Sequence, residues 1–294
     1  METSWTLENA GLQLRIASLG AEMISLYSKA TAREWLWRPR KAVWQSVSPI
    51  LFPVVGRLIR GGLWEEERFY PLPAHGFLRH LPFRRVQQSS DALSLRGCSN
   101  ATTLAQWPFD FGFEAQWRLK TNSVQISYCI ENTGDRRFGF SLGSHPGFAL
   151  PIVHHPGWRV VFSAPGVSGP FPTRDRTLEV RDGGGRVTAF ALASDTFEHG
   201  AVYFGDCRHQ TLSVLSPENE TVLQMNTGDH PWLALWSVPG NDLLCIEPLD
   251  GTTDAPDFNG QLAEKRGIRW LEAGASYRQG YEIVLNPDAR RRDG

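Results

Sequence analysis

Phe111-Gly112-Phe113-Glu114-Ala115-Gln116-Trp117-Arg118-Leu119-Lys120, followed by Thr121-Asn122-Ser123 and then Val124-Gln125-Ile126-Ser127-Tyr128-Cys129-Ile130, decides the fold class of this chain. In the first run Phe111, Phe113, Ala115, Trp117 and Leu119 alternate with Gly112, Glu114, Gln116 and Arg118. In the second, Val124, Ile126, Tyr128 and Ile130 alternate with Gln125, Ser127 and Cys129. Side chains on a strand point to opposite faces with period two, so each run presents one apolar face to a core. The polar Thr121-Asn122-Ser123 between them predicts a hairpin.

The same period appears earlier, at Leu12, Leu14 and Ile16. Further strands are expected at 93–96, 158–162, 187–192, 201–204, 212–215, 222–225, 233–237, 243–247 and 281–285. Turn residues such as Pro165-Gly166, Asp182-Gly183-Gly184-Gly185, Pro217-Glu218-Asn219 and Pro239-Gly240-Asn241-Asp242 separate them. Helix signals are few. Gln261–Arg266, between two glycines, is expected to make two turns, and no long amphipathic stretch is present. Many short strands with regular turns predict an all-β, mostly antiparallel sandwich with little helix. The 294 residues carry no linker-like or repeated segment, so one domain over 1–294 is expected.

Composition narrows the function classes. Lys+Arg is 30 against Asp+Glu 31, so no basic field draws the chain to nucleic acid. The basic end, Arg290-Arg291-Arg292, reads as a solvated terminus. No apolar run reaches the length of a membrane span, and the first residues lack a signal-peptide pattern, so a cytoplasmic location is expected. Cys98, Cys129, Cys207 and Cys245 form no Cys-x-x-Cys pair and read as buried free thiols. His154-His155 is poor metal-ligand spacing, because neighbours on a strand face opposite ways. Gly183-Gly184-Gly185 is followed by no Lys-Ser/Thr and is no phosphate loop. His230-Pro231-Trp232, before a strand, reads as structural.

Three stretches each place one titratable side chain among Gly, Pro and apolar residues: Pro73-Ala74-His75-Gly76-Phe77-Leu78-Arg79, Gly143-Ser144-His145-Pro146-Gly147-Phe148 and Cys245-Ile246-Glu247-Pro248-Leu249-Asp250-Gly251. Proline fixes φ and glycine opens backbone closed to other residues, so such side chains are held rather than loose. Two imidazoles and one carboxylate suffice to move protons. Upstream, Ser48-Pro49-Ile50-Leu51-Phe52-Pro53-Val54-Val55-Gly56-Arg57 ends an apolar run in an arginine whose fork of donors suits a polyol or an anion.

In order and spacing these four motifs resemble the aldose 1-epimerase (galactose mutarotase-like) family, in particular its LacX-like bacterial branch. The resemblance runs from about Leu12 to Leu285. It implies the large antiparallel supersandwich of that family and an isomerase that interconverts sugar anomers without metal or nucleotide. Carried over motif by motif, Glu247 is the general base on the anomeric hydroxyl, His145 the general acid on the ring oxygen, and His75 its assistant near that oxygen. Arg57 matches the arginine that contacts sugar hydroxyls. The family's further substrate contact from a middle strand falls near Asp195–Gly200, where Asp195 and His199 are the candidates and Asp206 stands close by. Leu249 occupies a position where many relatives carry tryptophan on a pocket wall. With this chemistry, activity is expected to fall in acid as Glu247 protonates and in alkali as His145 loses its proton.

The partner expected is a small-molecule sugar, on a monomer or homodimer that binds neither nucleic acid nor membrane. Part of the aromatic complement, 11 Trp, 16 Phe and 6 Tyr, is free to stack on a pyranose. Three rivals stand beside the lead. A mutarotase for a 6-phosphorylated or sulfonated hexose would use some of Arg57, Arg60, Arg79, Arg84 and Arg85. A glycoside hydrolase needs a second carboxylate, for which Asp250 and Asp254 are the nearest in sequence. A non-catalytic sugar-binding module would need no proton-transfer groups.

Overall fold

A computed structural model describes residues 3–180, 185–193 and 195–285. Asp182-Gly183-Gly184, most of one expected turn, and the Arg290-Arg291-Arg292 tail lie outside them. The leading hairpin forms as read. Strand Phe111–Leu119 pairs antiparallel with Ser123–Asn132, from Phe111 opposite Asn132 to Leu119 opposite Val124. Ser123 already belongs to the second strand, and Lys120 N–H donates to its carbonyl across Thr121-Asn122. The apolar positions of both strands are buried, while Gln116, Arg118, Gln125 and Ser127 face solvent.

This hairpin sits inside a nine-stranded sheet. In spatial order its strands are Ala189–Ala191, Arg159–Phe162, Thr211–Leu215, Thr221–Asn226, Ser276–Leu285, Ser123–Asn132, Phe111–Leu119, Ala92–Cys98 and Arg84–Gln88. An eight-stranded sheet runs Arg186–Val187, Val167–Pro172, Val202–Gly205, Trp232–Trp236, Leu244–Leu249, Gly143–Ser144 and Ile50–Leu51, with Gly147–Phe148 also paired to Leu244–Leu249. The inner faces of the two sheets share one apolar core. Phe52, beside the second sheet, packs 5.1 Å from Phe111 and 5.5 Å from Phe113 of the first, and Phe162 packs 5.0 Å from Phe204. Burying each such ring contributes about 1.5–3 kcal/mol, so this face-to-face contact holds the sandwich together. A four-stranded sheet, Ser4–Glu8 to Arg33–Glu34, carries the Leu12, Leu14, Ile16 alternation and buries it in the same core.

Three expectations need correction. Gln261–Arg266 makes only one 3-10 turn, Leu262–Glu264. Gly260 and Gly267 both have positive φ, and Lys265 swings inward to a buried ion pair instead of continuing a helix. The strand expected at 187–192 divides, Arg186–Val187 joining one sheet and Ala189–Ala191 the other. Cys98 is exposed, unlike the other three free thiols. An α-helix, Ala101–Gln106, is capped by Asn100, whose side-chain oxygen accepts from the Thr102 and Thr103 N–H groups. Asn100-x-x-Thr103 is a capping pattern that strand periodicity alone does not weigh.

Candidate active site

Strand Leu244–Leu249 lies near the middle of the second sheet and is buried along its whole length. Such a strand reads as a continuous apolar run, and Glu247 is its one ionisable carboxylate. Glu247 is 3 % exposed and stands opposite Ala234 of the neighbouring strand. Next to this strand, Gly143–Ser144 pairs with both Leu249 and Ile50–Leu51. His145 follows directly, its N–H donating to the Pro49 carbonyl. That places His145 Nε2 3.2 Å from Glu247 Oε1.

His75 reaches the same place from a turn. It has φ +66° and Gly76 φ +69°. A Cβ on Gly76 would lie 2.2 Å from the Phe52 carbonyl oxygen, so only glycine lets this turn close on Phe52-Pro53. The His75 N–H donates to the Gly56 carbonyl, and the Gly56 N–H donates to His75 Nδ1 at 3.1 Å. Because Nδ1 accepts, the neutral ring carries its proton on Nε2 and is a donor there. The His75 and His145 rings meet edge to face at 5.7 Å.

These groups line a cavity of about 660 Å³ together with Arg57, Arg79, Arg176, Glu198, His199, Tyr203, Trp44 and Trp236. Arg57 donates to the Asp175 carbonyl at 2.9 Å. Its own backbone is tied to the loop after Glu247: the Asp254 N–H donates to the Arg57 carbonyl, and the Arg57 N–H donates to Thr253 Oγ1. Of the remaining candidates, His199 lies on the cavity lining, whereas Asp195 is exposed and outside it. Asp206 is also exposed and outside, paired with Arg186 at 3.2 Å. Leu249 is not on the cavity lining; it is buried in a small cluster with Leu51, Val55 and Tyr203. Arg60, Arg84 and Arg85 are likewise absent from the lining, while Arg176, Glu198, Tyr203, Trp44 and Trp236 are present although no motif marks them.

Burial dominates the electrostatics. It pushes the Glu247 carboxyl well above the usual carboxylate range, opposed only in part by the Arg79 charge. It pushes His145 down to about 3, with Arg79 acting in the same direction. His75 is also driven well below 6.5 by burial, then by His145 and Arg79. An imidazolium and a carboxylate 3.2 Å apart attract, while the cost of desolvating both charges acts against that ion pair. Burial thus works toward a protonated Glu247 beside a neutral His145.

Asp250 and Asp254, the nearest candidates in sequence for a hydrolase's second carboxylate, do not line the cavity. Asp250 is buried in a network with His230, Arg269, Tyr277 and Gln279. Asp254 pairs with Lys265 at 2.6 Å, both fully buried. His230 thus serves the structure, and His154 and His155 are exposed. Among the described residues no group of three or more His, Cys, Asp or Glu is arranged to hold a metal ion. No helix among them is long and apolar enough to cross a membrane.

The aldose 1-epimerase family profile matches residues 3–283. The chain belongs to the aldose 1-epimerase family. This epimerase is 22 % identical over 300 residues to the plasmid-encoded protein LacX of Lactococcus lactis subsp. lactis, covering 95 % of this chain and 98 % of that one. It is similar in structure to a galactose mutarotase related enzyme from Lactobacillus acidophilus, with TM-score 0.90, 27 % identity, and 96 % and 97 % of the two chains covered. A galactose mutarotase-like protein from Lactobacillus casei gives TM-score 0.87 and 25 % identity, covering 96 % of this chain and all of that one, 100 %. The epimerase is accordingly an isomerase-type enzyme on the galactose mutarotase-like supersandwich.

Proposed function

We propose that this enzyme interconverts the α and β anomers of a hexose or modified hexose, with Glu247 as base, His145 as acid and His75 as a donor near the ring oxygen. The observation that carries the reading is one cavity in which a buried carboxylate, a buried imidazole and a half-buried one stand within a sugar ring's span.

The proton count suits the reaction. To open the ring, a carboxylate takes the proton from O1 while an imidazolium gives one to O5. The C1–O5 bond breaks, C1–C2 rotation follows, and the same transfers in reverse close the other face. Glu247 and His145 together hold one proton before the transfer and one after it. Before, it sits on His145 as an ion pair; after, it sits on Glu247 in a neutral pair. Burial favours the neutral pair, so it lowers the energy of the open-aldehyde state, while the Arg79 charge favours both an ionised Glu247 and a neutral His145 and so acts on the two partners in opposite senses. His75, with its proton on Nε2, donates to O5 without titrating. Arg57 binds sugar hydroxyls, and His199 contacts the sugar from the rim.

A second reading concerns the substrate's charge. Arg57, Arg79 and Arg176 line the cavity against Glu198 and Glu247, an excess of cations that suits a hexose bearing a phosphate or sulfonate. NMR exchange spectroscopy on α and β anomers, across neutral hexoses and their 6-phosphate and 6-sulfonate forms, tests both readings. Acceleration of anomer exchange for at least one sugar is expected. No acceleration across the panel, with binding retained, would make the site a sugar receptor.

A further inference from the structure

His75 and His145 are held in different ways. The Gly56 N–H fixes the His75 ring through Nδ1. His145 has no such tether: its Nδ1 is buried and has no hydrogen-bond partner. An imidazole that works through one nitrogen is usually oriented through the other. What holds the His145 ring is aromatic packing. The indole of Trp44 stacks on it, with ring centroids 5.0 Å apart and planes at 30°. Trp236 meets it edge-on at 5.6 Å and meets Trp44 at 5.8 Å.

The chain around Trp44 is built to deliver that ring. The segment leaves the sheet at Trp37, whose N–H donates to the Gly147 carbonyl, and returns at Val47, whose carbonyl accepts from the Gly147 N–H. Arg40 and Trp44 close it by an N–H to carbonyl bond, and the Trp37 indole N–H donates to the Trp44 carbonyl at 3.1 Å. A Cβ on Gly147 would lie 2.6 Å from Trp44 Cζ3. The glycine two residues after His145 thus leaves the space into which the indole folds.

We infer that Trp44 is a positioning residue for His145, a strap side chain that fixes the imidazole's orientation toward Glu247 and the sugar and keeps water off its outer face. The inference rests on the reading of His145 as the proton donor. The titratable or charged groups facing His145 are Glu247 from the central strand, His75 from its turn and Arg79 from the 3-10 turn Leu78–His80; the strap itself supplies only the indole.

Trp44→Leu and Trp44→Phe in the full chain provide the test, with Trp44→Gln as a second ring-free variant should the leucine form not fold. The first readout is the titration of the His145 ring by NMR in sugar-free protein. The second is anomer exchange resolved into kcat and KM. Without the indole, water reaches the imidazole and its pKa rises from about 3 toward 6.5, while kcat falls roughly ten- to a hundredfold with little change in KM. Trp44→Phe retains a stacked ring and stays near wild type in both. A His145 titration unchanged in the ring-free variant overturns the inference, as does a loss confined to KM. Because the titration is read without sugar, a chain inactive on every sugar would refute the proton-donor reading while leaving the stacking result to be judged separately.

Discussion

Nε2 of His145 lies 3.2 Å from Oε1 of Glu247, and both side chains are almost sealed from water. Two groups so placed share a proton rather than titrate independently. Glu247→Gln preserves shape but cannot accept a proton, and general acid–base groups are worth roughly 10²–10⁴-fold. At least about a hundredfold loss of catalysed anomer exchange is expected, with sugar affinity largely kept. His145→Asn should match it, and His75→Asn should lose less. Near-normal exchange in Glu247→Gln would move the base role to Glu198, because Asp195 and Asp250 lie off the cavity.

The pH profile follows from the pair needing one proton. The neutral pair takes up a second proton on His145, which burial holds down to about 3. It loses its only proton from Glu247, which burial holds well above 4.5. A wide plateau is expected, its acid limb set by His145 and its alkaline limb by Glu247. The unburied values would assign the limbs the other way round, as motif reading does. A kcat/KM profile over pH, repeated with Glu247→Gln and His145→Asn, distinguishes the two orders.

Arg79 lowers both Glu247 and His145 through its charge. Replacing it by glutamine lets both rise, so both limbs of the profile should move to higher pH together. A shift of one limb alone, or a uniform drop in rate with no shift, would restrict Arg79 to binding.

Lys265 and Asp254 form a fully buried pair 2.6 Å apart, and the other Asp254 oxygen accepts from the Ile59 N–H. Lys265→Met leaves that carboxylate buried without its cation, a defect that costs about 3–5 kcal/mol. Denaturant unfolding should show this loss at neutral pH. Adding Asp254→Asn should recover part of it, since the amide needs no counter-ion.

The aromatic alternation at Phe111–Leu119 and Val124–Ile130 was enough for the hairpin, because period two is a local property of the strand and the buried face is written in consecutive residues. The glycines beside His75 and His145 were legible for a similar reason: the Phe52 backbone at Gly76 and the Trp44 indole at Gly147 leave no room for a Cβ, and the sequence records the exclusion. Resemblance supplied the candidate roles of Glu247, His145, His75 and Arg57 through motifs that keep their order along the chain. Distance between segments was invisible. Trp44, Arg176, Glu198, Tyr203 and Trp236 reach the cavity from separate loops and strands, and nothing local distinguishes them from aromatics and charges that do not. The same blindness admitted Asp195, which is near in sequence and off the lining in space, and offered Asp250 and Asp254 as acids when other side chains already neutralise them. The electrostatics belong wholly to the tertiary structure. Whether Glu247 and His145 rest charged or neutral depends on how completely two sheets and a strap exclude water from them, and desolvation is a sum over the packed molecule, not a property of any stretch of chain.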